Sequence, residues 1–185
     1  MITILHDLFL EFFGTLILYY FVEYKPEQHE KAIIKRRLKA AYLSMKSNIM
    51  LQILIIANMQ QYNKCIDILI NNSDAFYELF SGGNWDNFFY ALEQHSEYSM
   101  EPFFREVEIF DNEINSTMLL YPAKDEKTYN FFKNLHIELL NLIRVDCESY
   151  EDRKYFVRSL WALFTHWDFC SWQHDDYIKK YIDNL

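Results

Sequence analysis

The sequence predicts an all-α protein: a long N-terminal and central helix followed by a compact bundle of about five to six shorter helices. Three observations predict it. Apolar residues recur at steps of three and four along most of the chain, no stretch alternates for long with period two, and glycine and proline number only three each in 185 residues. Half of the residues are apolar, 51%, enough for a substantial core without disulfides or metal.

The first element is the apolar run 1–24. Ile2 to Val22 is about long enough to cross a bilayer core, which takes roughly 17–25 residues. His6, Asp7 and Glu11 interrupt it, and an ionised carboxylate costs about 2.5–3.5 kcal/mol at the bilayer centre. In a helix starting near Met1, His6 and Asp7 fall near one end and Glu11 lies deep. Asp7 and Glu11 stand at i, i+4, on one face. The run has no Lys or Arg ahead of it, and Tyr19, Tyr20, Phe21 and Val22 fill the place of a small-residue cleavage site, so it does not read as a signal peptide. The expectation is a retained single-pass anchor, with Tyr19, Tyr20 and Tyr24 at headgroup level and the bulk of the chain cytoplasmic. The layout is that of small single-pass bacterial proteins of the inner membrane. The alternative is a soluble cytoplasmic protein in which residues 1–22 form a core or assembly helix.

The second element, 25–72, opens at Lys25-Pro26 and reaches Asn71-Asn72-Ser73-Asp74 with no glycine or proline after Pro26. Fully helical, its glycine- and proline-free stretch would be about 70 Å long. No acidic residue lies between Lys31 and Lys64. Lys31, Lys35, Arg36, Arg37, Lys39 and Lys46 form a basic neck suited to the anionic headgroups of a membrane surface. A second pattern runs along the same helix: Ile34, Leu38, Ala41, Met45, Asn48, Gln52, Ile55, Met59, Tyr62, Ile66 and Leu69 alternate steps of four and three. This seam serves either self-association, with Asn48 and Gln52 setting register, or packing against the chain's own core.

The third region, 73–185, is predicted as successive short helices. They are 75–80, Trp85 to about Glu97, Glu101 to about Met118, Asp125 or Lys127 to about Cys147, Arg153 to about His174, and 175–184. The turn Ser81-Gly82-Gly83-Asn84, Ser99 ahead of Pro102, and Tyr121-Pro122 punctuate them. Phe103, Phe104, Val107 and Phe110, then Phe131, Phe132, Leu135, Leu139, Leu142 and Ile143, then Leu160, Trp161, Phe164 and Trp167 are the expected inward stripes. Residues 25–185 are expected to fold as one unit. Charge divides with position. Residues 1–72 carry eight Lys/Arg against six Asp/Glu, and residues 73–185 carry ten against twenty-one. An acidic bundle lacks the concentrated positive charge that tracks phosphates, so nucleic acid is not an expected partner.

No catalytic motif emerges. GxSxG, HExxH, a phosphate loop and a dinucleotide fingerprint are all missing. Cys65, Cys147 and Cys170 have no paired spacing. His166, Cys170 and His174 stand at i, i+4, i+8, but about 12 Å separates the outer two along a helix, so at most two reach one ion; no metal and no cofactor are expected. Arg158 and His166 are spaced more widely than in small helical ribonucleases. His95/Glu97 and His136/Glu138, at i, i+2, face different directions. The expected function is therefore non-enzymatic: a membrane-anchored helical protein whose cytoplasmic domain binds a protein partner or self-associates, with a membrane-acting effector as its sharper form. A soluble all-helical enzyme or regulator is the alternative.

Overall fold

A computed structural model of the chain is all-α, a long N-terminal helical run followed by five shorter helices, with no strand among the described residues. The structure describes residues 2–56, 83–94, 99–120, 126–165 and 176–185. The long run comprises α1 (Ile2–Tyr19), a π-helical turn (Tyr20–Tyr24) and α2 (Lys25–Ile56). The shorter helices are α3 (Gly83–Gln94), α4 (Glu101–Leu120), α5 (Glu126–Ile143), α6 (Tyr150–Thr165) and α7 (Tyr177–Asp183). Two compact units divide the chain, Met1–Arg37 and Leu38–Leu185.

In the first unit α2 begins at Lys25, where the sequence predicts it, but it continues from a π-helical turn and not from a break in the chain. Proline has no N–H, and its ring collides with the carbonyl four residues back, here that of Val22. The backbone widens instead of breaking: Lys25 N–H donates to Tyr20 O, five residues earlier. Thr15 Oγ1 donates to Glu11 O at 2.8 Å, so its hydroxyl is satisfied within the helix.

The second unit closes around one core. The second half of α2 buries Leu38, Tyr42, Met45, Ile49, Met50, Ile53, Leu54 and Ile56. Opposite them lie Phe88 and Leu92 of α3, Phe103, Val107, Phe110 and Ile114 of α4, and Phe132, Leu135 and Leu139 of α5. Phe156, Val157, Leu160 and Phe164 of α6 and Ile178 and Ile182 of α7 complete it. Within this unit α4 packs along α5, α6 against α7, and α3 against α6. The Tyr42 ring sits 5.5 Å from that of Phe110 and 6.5 Å from that of Phe164, so α2 meets α4 and α6 through aromatic contacts.

Local chemistry sets the helix starts. Ser99 Oγ accepts from Glu101 N at 3.2 Å ahead of α4. Ser149 Oγ accepts from Asp152 N at 3.1 Å, which starts α6 at Tyr150 inside the loop the sequence places at 148–152. Asp176 caps α7 by accepting from Lys179 N. α5 stops at Ile143, four residues before the expected Cys147, because residues 145–147 leave the helix. The predicted inward stripes are buried at Phe103, Val107, Phe110, Phe132, Leu135, Leu139, Leu142, Leu160, Trp161 and Phe164. Phe104, Phe131 and Ile143 are half-buried against the core. The expected helix at 75–80, the extension of α2 over 57–72, and Trp167 lie outside the described residues.

Candidate functional site

The surface with the clearest functional character is the helix from Phe9 to Tyr24. Every residue along it is exposed. Phe9, Leu10, Phe12, Phe13, Leu16, Ile17, Leu18, Tyr19, Tyr20, Phe21, Val22 and Tyr24 are among them, with Phe9 60% and Val22 67% accessible. At 100° per residue these side chains point in every direction around the axis. A helix that is apolar all round belongs in a core or a membrane. Towards the π turn the surface becomes aromatic and basic: Tyr20 stacks on Tyr24 at 5.6 Å, and Lys25 Nζ lies 5.6 Å from the centre of the Phe21 ring. No helix among the described residues is long and apolar enough to cross a membrane.

The structure divides the predicted basic neck. Arg36 and Arg37 are exposed and Lys31 and Lys35 half-buried, with Lys31 Nζ 3.9 Å from Glu27 one turn earlier. Lys39 Nζ is 2.6 Å from Asp183 at the end of α7. Lys46 does not belong to a lipid-facing neck at all. It is 1% exposed, its Nζ donates to Asp176 Oδ2 at 2.8 Å, and it lies 5.9 Å and 5.8 Å from the Tyr42 and Phe164 rings. Lys46 sits on the buried face of α2 between Tyr42 and Ile49, and an ammonium there requires a paired anion.

Asp176 is that anion, and it serves three donors. Lys46 Nζ takes Oδ2, while Tyr42 O–H at 2.7 Å and Lys179 N–H at 3.0 Å take Oδ1. Burial first, and then the Asp176 charge and hydrogen bond, hold the Tyr42 hydroxyl well above the ordinary tyrosine range. This tyrosine therefore stays a neutral donor. With Tyr42 and Lys46 buried and Asp176 half-buried, the cluster joins α2 to α7.

The proposed self-association seam is likewise redistributed. Leu38 and Met45 are buried in the chain's own core, and Ile34 and Ala41 are half-buried. Asn48 Nδ2 donates to Glu106 Oε2 of α4 at 2.9 Å instead of meeting a second copy. Gln52 is half-buried and Ile55 is 53% exposed. The face that packs runs Leu38, Tyr42, Met45, Ile49, Ile53, Ile56; it shares Leu38 and Met45 with the predicted seam and parts from it after Met45. The correction is one of helical phase, since larger apolar residues sit at 42, 49 and 53 than at 41, 48 and 52. Met59, Tyr62, Ile66 and Leu69 lie outside the described residues.

Three further features carry polar chemistry. His136 Nδ1 and Asp111 Oδ1 are 2.6 Å apart and pin α5 to α4; the sequence reading set His136 and Glu138 on different helix faces and missed this partner on another helix. Cys147 follows α5, and its thiol is pushed up to about 11 by burial and then by the Asp152 and Asp146 charges, which the nearby Arg153 offsets only in part. Arg153 is itself buried, with no hydrogen-bond partner for Nε among the described residues. Arg158 is exposed and lies 5.4 Å from the centre of the Phe89 ring.

A cleft of about 620 Å³ opens between α5, α6 and α7. Phe131, Leu135, Leu142, Leu163 and Ile178 make it apolar, while Asn134, Asn141, Ser159 and Tyr177 give it amides and hydroxyls. Glu138 is its one charged lining residue among the described ones. Ser159 Oγ already donates to Tyr155 O at 2.9 Å. The described lining holds no histidine, lysine or cysteine. His166, Cys170 and His174 lie outside the described residues, and among the described ones no group of three or more His, Cys, Asp or Glu is placed to hold a metal ion. The chain matches no family model, no curated protein and no solved structure.

Proposed function

We propose that the protein is a membrane-anchored helical protein. The helical stretch 2–24 is the anchor, Lys25, Lys31, Lys35, Arg36 and Arg37 lie along the anionic headgroups on the cytoplasmic side, and the unit Leu38–Leu185 is a cytoplasmic domain that binds a protein partner or self-associates. The observation that supports this reading is the exposed, all-round apolar surface from Phe9 to Tyr24. Left in water, such a surface is an association or aggregation site, whereas hydrocarbon covers every face of it at once. α1 alone is not long and apolar enough to cross a bilayer, but α1 and the π turn together have about the length of its core, 1.5 Å per residue against roughly 30 Å. Tyr19, Tyr20 and Tyr24 supply interfacial aromatics where the apolar run ends and the cations begin.

Fractionation of cells producing the full chain tests the reading. The native chain is expected in the membrane pellet after an alkaline carbonate wash. Leu16→Arg/Ile17→Arg, which puts two cations in the middle of the apolar run, is expected in the supernatant. A native chain that is released by the wash, or found soluble as a defined oligomer, would transfer residues 2–24 to an assembly interface.

A further inference from the structure

We infer that the cleft between α5, α6 and α7 binds a small organic cation, an ammonium group carried on an apolar body. The inference goes beyond the anchor reading and does not depend on it, because every described residue of the lining belongs to the unit Leu38–Leu185. At about 620 Å³ the cleft falls in the range of roughly 300–1,000 Å³ that holds small ligands. Its floor is apolar and fixed, since Leu135, Leu142 and Ile178 are buried side chains of the core.

The polar groups of the lining favour a cation. On α5, Asn134, Glu138 and Asn141 stand at i, i+4 and i+7, so they form one exposed stripe along the cleft edge, about 10 Å from end to end. Glu138 is the charged member of that stripe, and each asparagine adds a carbonyl acceptor one turn away from it. On α6, Ser159 gives its O–H to Tyr155 O, which leaves the Ser159 oxygen to accept. A carboxylate among neutral acceptors suits N–H donors that carry positive charge.

Aromatic rings add to the same preference. Phe131, Tyr155 and Tyr177 line the cleft from three helices, and ring faces attract cations. Tyr181 stacks on Phe131 at 3.7 Å with 5° between the planes, which holds that ring in place at the start of the α5 stripe. Tyr177 already meets a cation of the chain itself, with Lys180 Nζ 5.7 Å from its ring centre. That ammonium disfavours a second positive charge at the Tyr177 end. The ligand's charged group therefore belongs at Glu138, with its apolar body against Leu142, Ala162 and Leu163.

The test is an NMR titration of the full chain, isotope-labelled at leucine and isoleucine methyls, in phosphatidylcholine nanodiscs. The probe is naphthylethylammonium and its uncharged control is naphthylethanol, with empty nanodiscs giving the free concentration of each. A chain that does not enter nanodiscs is titrated in buffer, so failure of the anchor reading and failure of this inference are separate results. Methyl signals of Leu142, Leu163 and Ile178 are expected to shift and to saturate with a Kd of about 1 mM or tighter, the range for a probe of this size. The alcohol is expected to bind about fivefold or more weakly, and Glu138→Gln to remove that preference. Ala162→Trp, at an exposed position of the lining, is expected to block both probes, with unchanged Leu54 and Ile114 signals showing an intact core. Shifts that do not saturate, or native affinity retained by Ala162→Trp, overturn the cleft as the site. Equal affinity for alcohol and ammonium, or a full preference kept by Glu138→Gln, overturns the cation as its ligand.

Discussion

Asp176 shows how much one side chain can hold. Its two oxygens accept from Lys46, Tyr42 and the first turn of α7, and it is 130 residues from Lys46 in sequence. Asp176→Ala leaves a buried ammonium without its partner and α7 without its cap, and is expected to cost about 3–5 kcal/mol in urea unfolding. Lys46→Met leaves Asp176 two of its three donors and fills the space with a side chain of similar length, so it should cost clearly less; an equal or larger loss would contradict this assignment. Tyr42 adds a pH dependence with a definite sign. Its folded-state pKa is raised, so the folded state keeps the proton that the unfolded chain releases near pH 10. Its contribution is complete below about pH 10 and declines above it, and the stability advantage of the native chain over Tyr42→Phe should shrink there and not at neutral pH. Cys147, at about 11, is thiolate in only about one molecule in a thousand at pH 8. Its iodoacetamide labelling, followed by mass spectrometry of the Cys147 peptide, should lag well behind a free cysteine and accelerate as pH rises. None of these three environments was legible in the sequence, since Asp176 and Lys46, or Asp111 and His136, are joined only by the fold. One signal was present at Lys46: a lone cation on the stripe Tyr42, Met45, Ile49 and Ile53.

At the scale of the helix, apolar spacing located the elements and the core stripes of α4, α5 and α6 well, because each has one dominant face. α2 was harder. Leu38 and Met45 fit two seams equally, and beside the polar Asn48 and Gln52 of one seam stand the larger apolar Ile49 and Ile53 of the other. Ile53 is buried and Ile55 is exposed, two residues apart. Ile53→Ala is expected to lower unfolding stability by about 2–5 kcal/mol and Ile55→Ala by under about 0.5 kcal/mol; the reverse order would restore the predicted seam. Helix starts were legible where a capping residue stood beside the first turn, as at Ser99, and were set late at α6, where Ser149 was read as loop. Ser149→Ala should cost about 0.5–2 kcal/mol through loss of that cap. Lys25-Pro26 does mark the start of α2, but the chain enters it through the Tyr20–Tyr24 π turn, an adjustment that local sequence does not specify.

For the molecule as a whole, composition and periodicity sufficed for the all-α class, while the division of labour between its two units depends on what surrounds residues 9–24. Unit Leu38–Leu185 has a core that is covered by its own helices. Unit Met1–Arg37 has an apolar surface that is exposed from Phe9 to Tyr24. The central claim is that hydrocarbon supplies the cover. Amide hydrogen exchange of the full chain, with and without phosphatidylcholine vesicles, tests it most directly. Slowed exchange confined to peptides spanning 9–24, with the core helices α4 to α6 unchanged, is the predicted result. Exchange across 9–24 that is the same with and without vesicles would contradict it.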